Sequence, residues 1–118
     1  MTGPLLAAAL VGVGGSLGAV ARHAVGLRIA GRRSVVAVNA LGSLALGAVL
    51  AAPLGSSATL LVAVGVCGAF TTFSSFAVET VSTASGGDAS VAVGFAAANL
   101  AAALAAFLAG SALVGAVV

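Results

Sequence analysis

Gly65-Val66-Cys67-Gly68-Ala69-Phe70-Thr71-Thr72-Phe73-Ser74-Ser75-Phe76 interrupts an otherwise apolar segment. It packs two glycines, two threonines, two serines and three phenylalanines into one stretch. A lipid-facing helix has little use for so many hydroxyls and helix-weakening residues at its centre. Non-helical backbone at membrane depth is tolerated only where protein or a polar cavity surrounds it. The stretch therefore predicts an interrupted helix beside a path for something polar.

The rest of the chain supplies the membrane context. Its 118 residues are 62% hydrophobic and 5% charged, whereas soluble domains average about 25% charged. Four arginines and two carboxylates cannot cover a water-soluble surface. The mean hydropathy of +1.33 points the same way. These values predict an all-α protein in a lipid bilayer, built as one domain over residues 1–118. A span needs roughly 20 residues, so the length allows four spans with short loops. The pI of about 10.2 reflects arginines with little else to titrate and does not indicate nucleic acid. Cys67 is the only cysteine, so no intrachain disulfide is possible. Met1 to Ala21 carry no charge, which predicts a retained first helix and not a signal peptide.

Span one is expected from Pro4 to Val25, with proline suited to the first helical turn. Gly14 and Gly18 form a small-xxx-small pair that permits close helix approach. The run Gly12 to Gly18 has the wrong spacing for a dinucleotide loop and no preceding strand. Arg22, His23, Arg28, Arg32 and Arg33 follow, with a break at Gly31 and Arg28 on an interfacial turn. Span two is expected over Val35–Ala52, ending at Pro53, with Asn39, Gly42 and Ser43 on one face. Ser56-Ser57 reads as a polar turn. Span three is expected from Ala58, interrupted near Gly68–Thr72, then resuming through Phe73 to Thr83. Ser85-Gly86-Gly87-Asp88 reads as a turn with Asp88 as helix N-cap. Span four is expected over Ser90–Val117, with Asn99 its main polar residue and Gly110-Ser111 a candidate early end.

The arginines cluster in and beside the first loop, while the N-terminus, second loop and C-terminus carry neither Lys nor Arg. The positive-inside rule places the Arg28–Arg33 loop in the cytoplasm and both termini outside.

No catalytic constellation emerges. There is one histidine and one cysteine, and Glu79 and Asp88 are separated by a turn-rich loop. The chain is expected not to be an enzyme. What remains is a set of neutral donors: Asn39, Ser43, Thr71, Thr72, Ser74, Ser75 and Asn99. Such groups suit a small anion that must shed water, because hydrogen bonds replace hydration without a cation to trap the ion. Asn, Ser and Thr in membranes also bond neighbouring helices, and Ser43 and Asn99 taken singly favour that role. Phe70, Phe73 and Phe76 recur at i, i+3 and i+6. Their positive ring edges would favour an anion weakly if turned to a passage. Ordinary core packing explains the same spacing.

Three segments together resemble a known family. They are Gly14-Gly15-Ser16-Leu17-Gly18-Ala19-Val20-Ala21-Arg22, Val38-Asn39-Ala40-Leu41-Gly42-Ser43 with Gly47, and Gly68-Ala69-Phe70-Thr71-Thr72-Phe73-Ser74-Ser75-Phe76 with Glu79. In this order on a short four-span chain they resemble the Fluc/CrcB fluoride channels. The resemblance implies passive export of fluoride across the plasma membrane, reducing fluoride toxicity. It also implies a dimer of oppositely oriented subunits with pores at their interface. By that resemblance Asn39, Thr72, Phe73, Ser74, Ser75 and Phe76 would line the fluoride path, and Arg22 would sit at a vestibule. The backbone carbonyls of Gly68 and Thr71 would hold a structural sodium ion at the dimer centre. Glu79 matches a family carboxylate without an assigned role. The chain departs from the family in span four, where hydroxyls are expected and Leu100 to Gly110 has none. The second subunit could be another copy or a paralogue, and the strong arginine bias favours a paralogue. Two rival readings stay open: a small proton-coupled multidrug transporter, which needs a carboxylate deep in a span, and a non-conducting subunit that needs a paralogue.

Overall fold

A computed structural model describes residues 2–118. Helix α1 covers Pro4–Arg28 and α2 covers Arg32–Ala51. The third span, Ser56–Ser85, is composite. It begins as α3 (Ser56–Thr59), widens into π-helical turns over Leu60–Cys67, and tightens to α4 (Gly68–Phe70). It then breaks and resumes as α5 (Ser74–Ser85). Helix α6 covers Ala89–Gly115. There is no strand among the described residues. Among the described residues four helices are long and apolar enough to cross a membrane, so the chain is a multi-pass membrane protein. Its longest dimension, 51 Å, exceeds a bilayer of about 40–45 Å including headgroups.

Pro4 occupies the first turn of α1, as its missing N–H requires. The α1–α2 connection turns at Gly31, whose φ of 66° suits a residue without a Cβ. Ser56 and Ser57 form the first helical turn of span three, not the polar turn expected ahead of it. Their hydroxyls lie 2.8 Å and 3.2 Å from Thr2 Oγ1, which ties the chain's start to this turn. Asp88 stands at the N-terminal boundary of α6 as expected, but its side chain makes no capping hydrogen bond. The expected early end of span four at Gly110-Ser111 does not occur, because α6 runs on to Gly115.

Glycines position the helices. A Cβ on Gly14 would collide with the Leu61 carbonyl, and one on Gly18 with the Val66 carbonyl. Helix α1 therefore lies directly on the widened part of span three. A Cβ on Gly47 would meet the Phe107 carbonyl, and one on Gly110 the Leu44 carbonyl. Helix α2 lies equally close to α6. Membrane helices lack a hydrophobic drive to associate, so this close van der Waals approach holds them together. The first half of span three packs on α1, whereas α5 packs on α6. The break thus transfers the third span from α1 to α6.

All six charged residues and His23 lie toward one end of the bundle, where α1 and α5 finish and α2 and α6 begin. There Arg32 Nη1 donates to Thr83 Oγ1 at 3.2 Å. Arg22 and Glu79 lie deepest, each six residues inside its helix end, or about 9 Å at the helical rise.

Gly110→Val is expected to abolish recovery of folded protein, because the new side chain meets α2 backbone that cannot swing aside. Gly94→Ala, where nothing lies within 4 Å, is expected to be tolerated with a gain of up to about 1 kcal/mol. Size-exclusion profiles and circular-dichroism melts in detergent distinguish the two outcomes.

Candidate functional site

The break falls at Thr71–Phe73. It starts later than the expected Gly68–Thr72 interruption, because Thr71 N–H still donates to Cys67 O at 3.1 Å. The Thr71 hydroxyl donates to the same carbonyl at 2.9 Å. The chain then turns extended at Thr71, with φ −78° and ψ 163°.

Asn39 on α2 stabilises the peptide on the far side of Thr71. Its Oδ1 accepts Thr72 N–H at 2.7 Å, and its Nδ2 donates to Thr72 O at 3.1 Å. The side-chain amide therefore substitutes for a helical partner on both the N–H and the C=O of one residue. Asn39 and Thr72 are 8% and 7% exposed, so these groups have no water to fall back on. Thr72 also starts the next helix. Its Oγ1 accepts Ser75 N–H at 3.1 Å, the hydrogen bond of an N-cap. Ser74 Oγ lies 3.4 Å from the same hydroxyl.

These diversions release two carbonyls. In an unbroken helix Gly68 O would accept from Thr72 N–H, and Thr71 O from Ser75 N–H. Both donors are engaged elsewhere. Freed main-chain carbonyls are the hard oxygen ligands that sodium takes in unwound membrane helices. The donor set at Gly68 and Thr71 fits such an ion.

Two cavities meet at Thr72. A groove of about 770 Å³ runs along α2, span three and α6, and includes Asn39, Ser43, Gly68, Thr71, Phe73, Phe76 and Asn99. Its wall contains no charged residue. A polar recess of about 270 Å³ lies on the charged side, with Arg22, His23, Ser34 and Ser75 in its wall. Thr72 lines both. Glu79 is half-buried and lines neither. Ser74 is exposed and reaches the site only through Thr72.

The aromatic arrangement differs from the expected Phe70, Phe73 and Phe76 line. The break turns Phe70 away, toward Gly42 on α2. Phe73 and Phe76 stay together, with ring centroids 5.8 Å apart at 48°. Phe76 in turn meets Phe95 of α6 at 5.5 Å and 36°. Sequence reasoning missed Phe95. Its signal was the i, i+4 spacing to Asn99, which puts both on one face of α6.

Asn99, four residues from Phe95, joins the site through Asn39. The second N–H of Asn39 Nδ2 donates to Asn99 Oδ1 at 3.1 Å. Span four thus reaches the groove through an amide where hydroxyls were expected.

Fold and site together define a small four-span membrane protein with an uncharged, mainly apolar groove that carries a few polar side chains along a broken third span. The chain belongs to the CrcB-like protein, Camphor Resistance (CrcB), family, whose model matches residues 9–111. It is 54% identical over 111 residues to a fluoride-specific ion channel FluC 2 of Natronomonas pharaonis, covering 92% of this chain and 95% of the relative. It is 48% identical over 103 residues to a FluC 2 of Haloarcula marismortui, covering 85% and 87%. A FluC 1 from that same organism is 42% identical over 79 residues, covering 63% and 62%. The names of these relatives describe ion channels, not enzymes.

Asn39→Leu is expected to strand the N–H and C=O of Thr72, at about 1–3 kcal/mol for each buried group. The expected outcome is a lower melting temperature by circular dichroism, with loss of helicity concentrated at the break in hydrogen exchange.

Proposed function

We propose that this chain forms a passive, fluoride-selective channel that lets the ion leave the cell and so limits its toxicity. The observation that carries this reading is a set of neutral donors and aromatic rings in an otherwise apolar groove with no charged side chain among the described residues. An arginine or lysine side chain there would pair with fluoride directly and hold it. Amide, hydroxyl and ring-edge groups replace its water without trapping it. The names of the relatives support the same ion.

In this reading Arg22 raises the anion concentration in the recess. Ser75 and Thr72 lead from the recess to the groove, where Phe73 and Phe76 line the onward path. The Gly68 and Thr71 carbonyls hold a structural sodium ion, which supplies buried positive charge beside the anion. The plasma membrane is the barrier crossed. The proton-coupled transporter is less well supported, since Glu79 lines neither cavity. A carboxylate that exchanges protons for substrate must face the substrate's path.

The groove is open along one side, and Phe73 is 78% exposed there. We infer that a second, oppositely oriented subunit closes it. Segregation of every charge to one end favours a fixed orientation, with the Arg28–Arg33 loop cytoplasmic. A partner of opposite orientation would then be a paralogue. The FluC 1 and FluC 2 relatives in Haloarcula marismortui fit such pairing.

Liposomes test the channel. Purified protein, with its paralogue if needed, is expected to release fluoride passively and to leave chloride inside. Phe76→Ile is expected to reduce fluoride release by about tenfold or more, as loss of a contact worth about 1.4 kcal/mol would. Fluoride-tight vesicles from correctly assembled protein would refute the channel. Flux that requires a proton gradient would favour the transporter.

Orientation is tested separately with a reporter fused to the C-terminus. Signal from the outer side alone is expected. Equal signal from both sides would refute fixed orientation and favour pairing of identical copies.

A further inference from the structure

We propose that Asn99 supplies the amide donor of the anion path in span four, and that Asn39 is the positioning residue that aims it. This inference rests on the channel reading and assigns a donor within it. The hydrogen bonds fix the orientation of both amides in sequence. A backbone N–H can only donate, so the Asn39 atom facing Thr72 N–H must be its oxygen. Asn39 Nδ2 then faces Thr72 O and Asn99. A donor needs an acceptor opposite it, so the Asn99 atom nearest Asn39 must be Oδ1. The Asn99 Nδ2 is thereby directed away from Asn39. It makes no hydrogen bond to the described residues, and no buried side-chain polar atom among them lacks a partner. Asn99 Nδ2 is therefore open to the groove that the residue lines.

The two asparagines have different duties. Both N–H groups of Asn39 are committed, one to Thr72 O and one to Asn99 Oδ1. It has no further donor for an ion in this arrangement. Asn99 has two. The amides run head to tail from the Thr72 peptide through Asn39 to Asn99, and hydrogen bonds in such a chain polarise one another. Asn99 also follows Phe95 by one helical turn on α6, so its donor continues the contact line from Phe73 through Phe76 and Phe95. This accounts for a span four without hydroxyls between Leu100 and Gly110. An oriented amide takes their place.

Asn39 and Asn99 are the only side-chain amides in the chain, since it has no glutamine. Two NH₂ pairs therefore report on the whole proposal in an ¹⁵N spectrum of the assembled channel, with label confined to this chain's asparagines. Asn99→Ser assigns the pairs. Added fluoride, and not chloride, is expected to shift the Asn99 pair. The Asn39 pair is expected to exchange slowly with solvent and to respond less. A response confined to Asn39, or none at either residue, would overturn the proposal.

Flux gives an independent reading. Asn99→Leu is expected to lower fluoride release by about tenfold or more, the loss of one hydrogen bond to an ion. Asn99→Ser, which keeps a short donor, is expected to recover part of it. Asn99→Leu protein that conducts like the parent would overturn the assignment while leaving the channel reading intact. A parent that passes no fluoride would overturn both.

Discussion

The grip of Asn39 on Thr72 is the interaction on which the rest of the site depends. A helix broken inside a bilayer exposes main-chain groups where no water can satisfy them. One buried side-chain amide meets that demand for both the N–H and the C=O of a single residue, at 2.7 Å and 3.1 Å. Thr72 then caps the resumed helix with its own hydroxyl. With those two donors diverted, the carbonyls of Gly68 and Thr71 are released. The break, its satisfaction and its free carbonyls are one arrangement, with Asn39 freeing the Gly68 carbonyl and the Thr72 hydroxyl freeing that of Thr71.

That arrangement also explains the packing. The first half of span three lies on α1, held close by Gly14, Gly18 and Gly65, while α5 lies on α6. A straight helix could not serve both neighbours. The widened turns over Leu60–Cys67 share in this re-aiming, since π-helical turns alter the phase of the residues beyond them. The transfer brings Phe76 against Phe95 and opens a groove between the two helix pairs. Small residues set the helix distances, so the polar residues can be few. The hydrogen-bonding side chains of the groove wall are those engaged at the break, Ser43 on α2 and Asn99 on α6.

The sequence disclosed much of this. Runs of apolar residues located four spans with ends within a few positions, because span length is set by bilayer thickness. The hydroxyl-rich stretch located the break, because such composition conflicts with a lipid-facing helix. Gly14 and Gly18 were legible as contact points through their spacing. The partners across the fold were not. Asn39 and Thr72 are 33 residues apart, and a side-chain bond to a peptide leaves no periodic trace in either segment. The Asn39–Asn99 bond spans 60 residues and is equally silent. Phe95 was hidden in an alanine-rich helix whose even hydrophobicity marks no face. Ser56-Ser57 read as a turn because serine favours both turns and first helical turns, and composition alone does not separate them.

The distribution of charge follows from the same economy of polar groups. An arginine side chain inside the groove, in direct contact with an anion, would attract it strongly at low dielectric and slow its departure. The arginines are instead confined to one end, where water screens them and where, on the channel reading, their field would concentrate anions at the recess. Beyond Thr72 the wall sets a few neutral donors, two rings and freed carbonyls among aliphatic side chains, with no charge among the described residues. On that reading attraction would act at long range outside the barrier, and short directional contacts within it. Separating the two terms lets a site favour a strongly hydrated ion without becoming its trap. The one residue placed to join both regions is Thr72, whose peptide is fixed by Asn39.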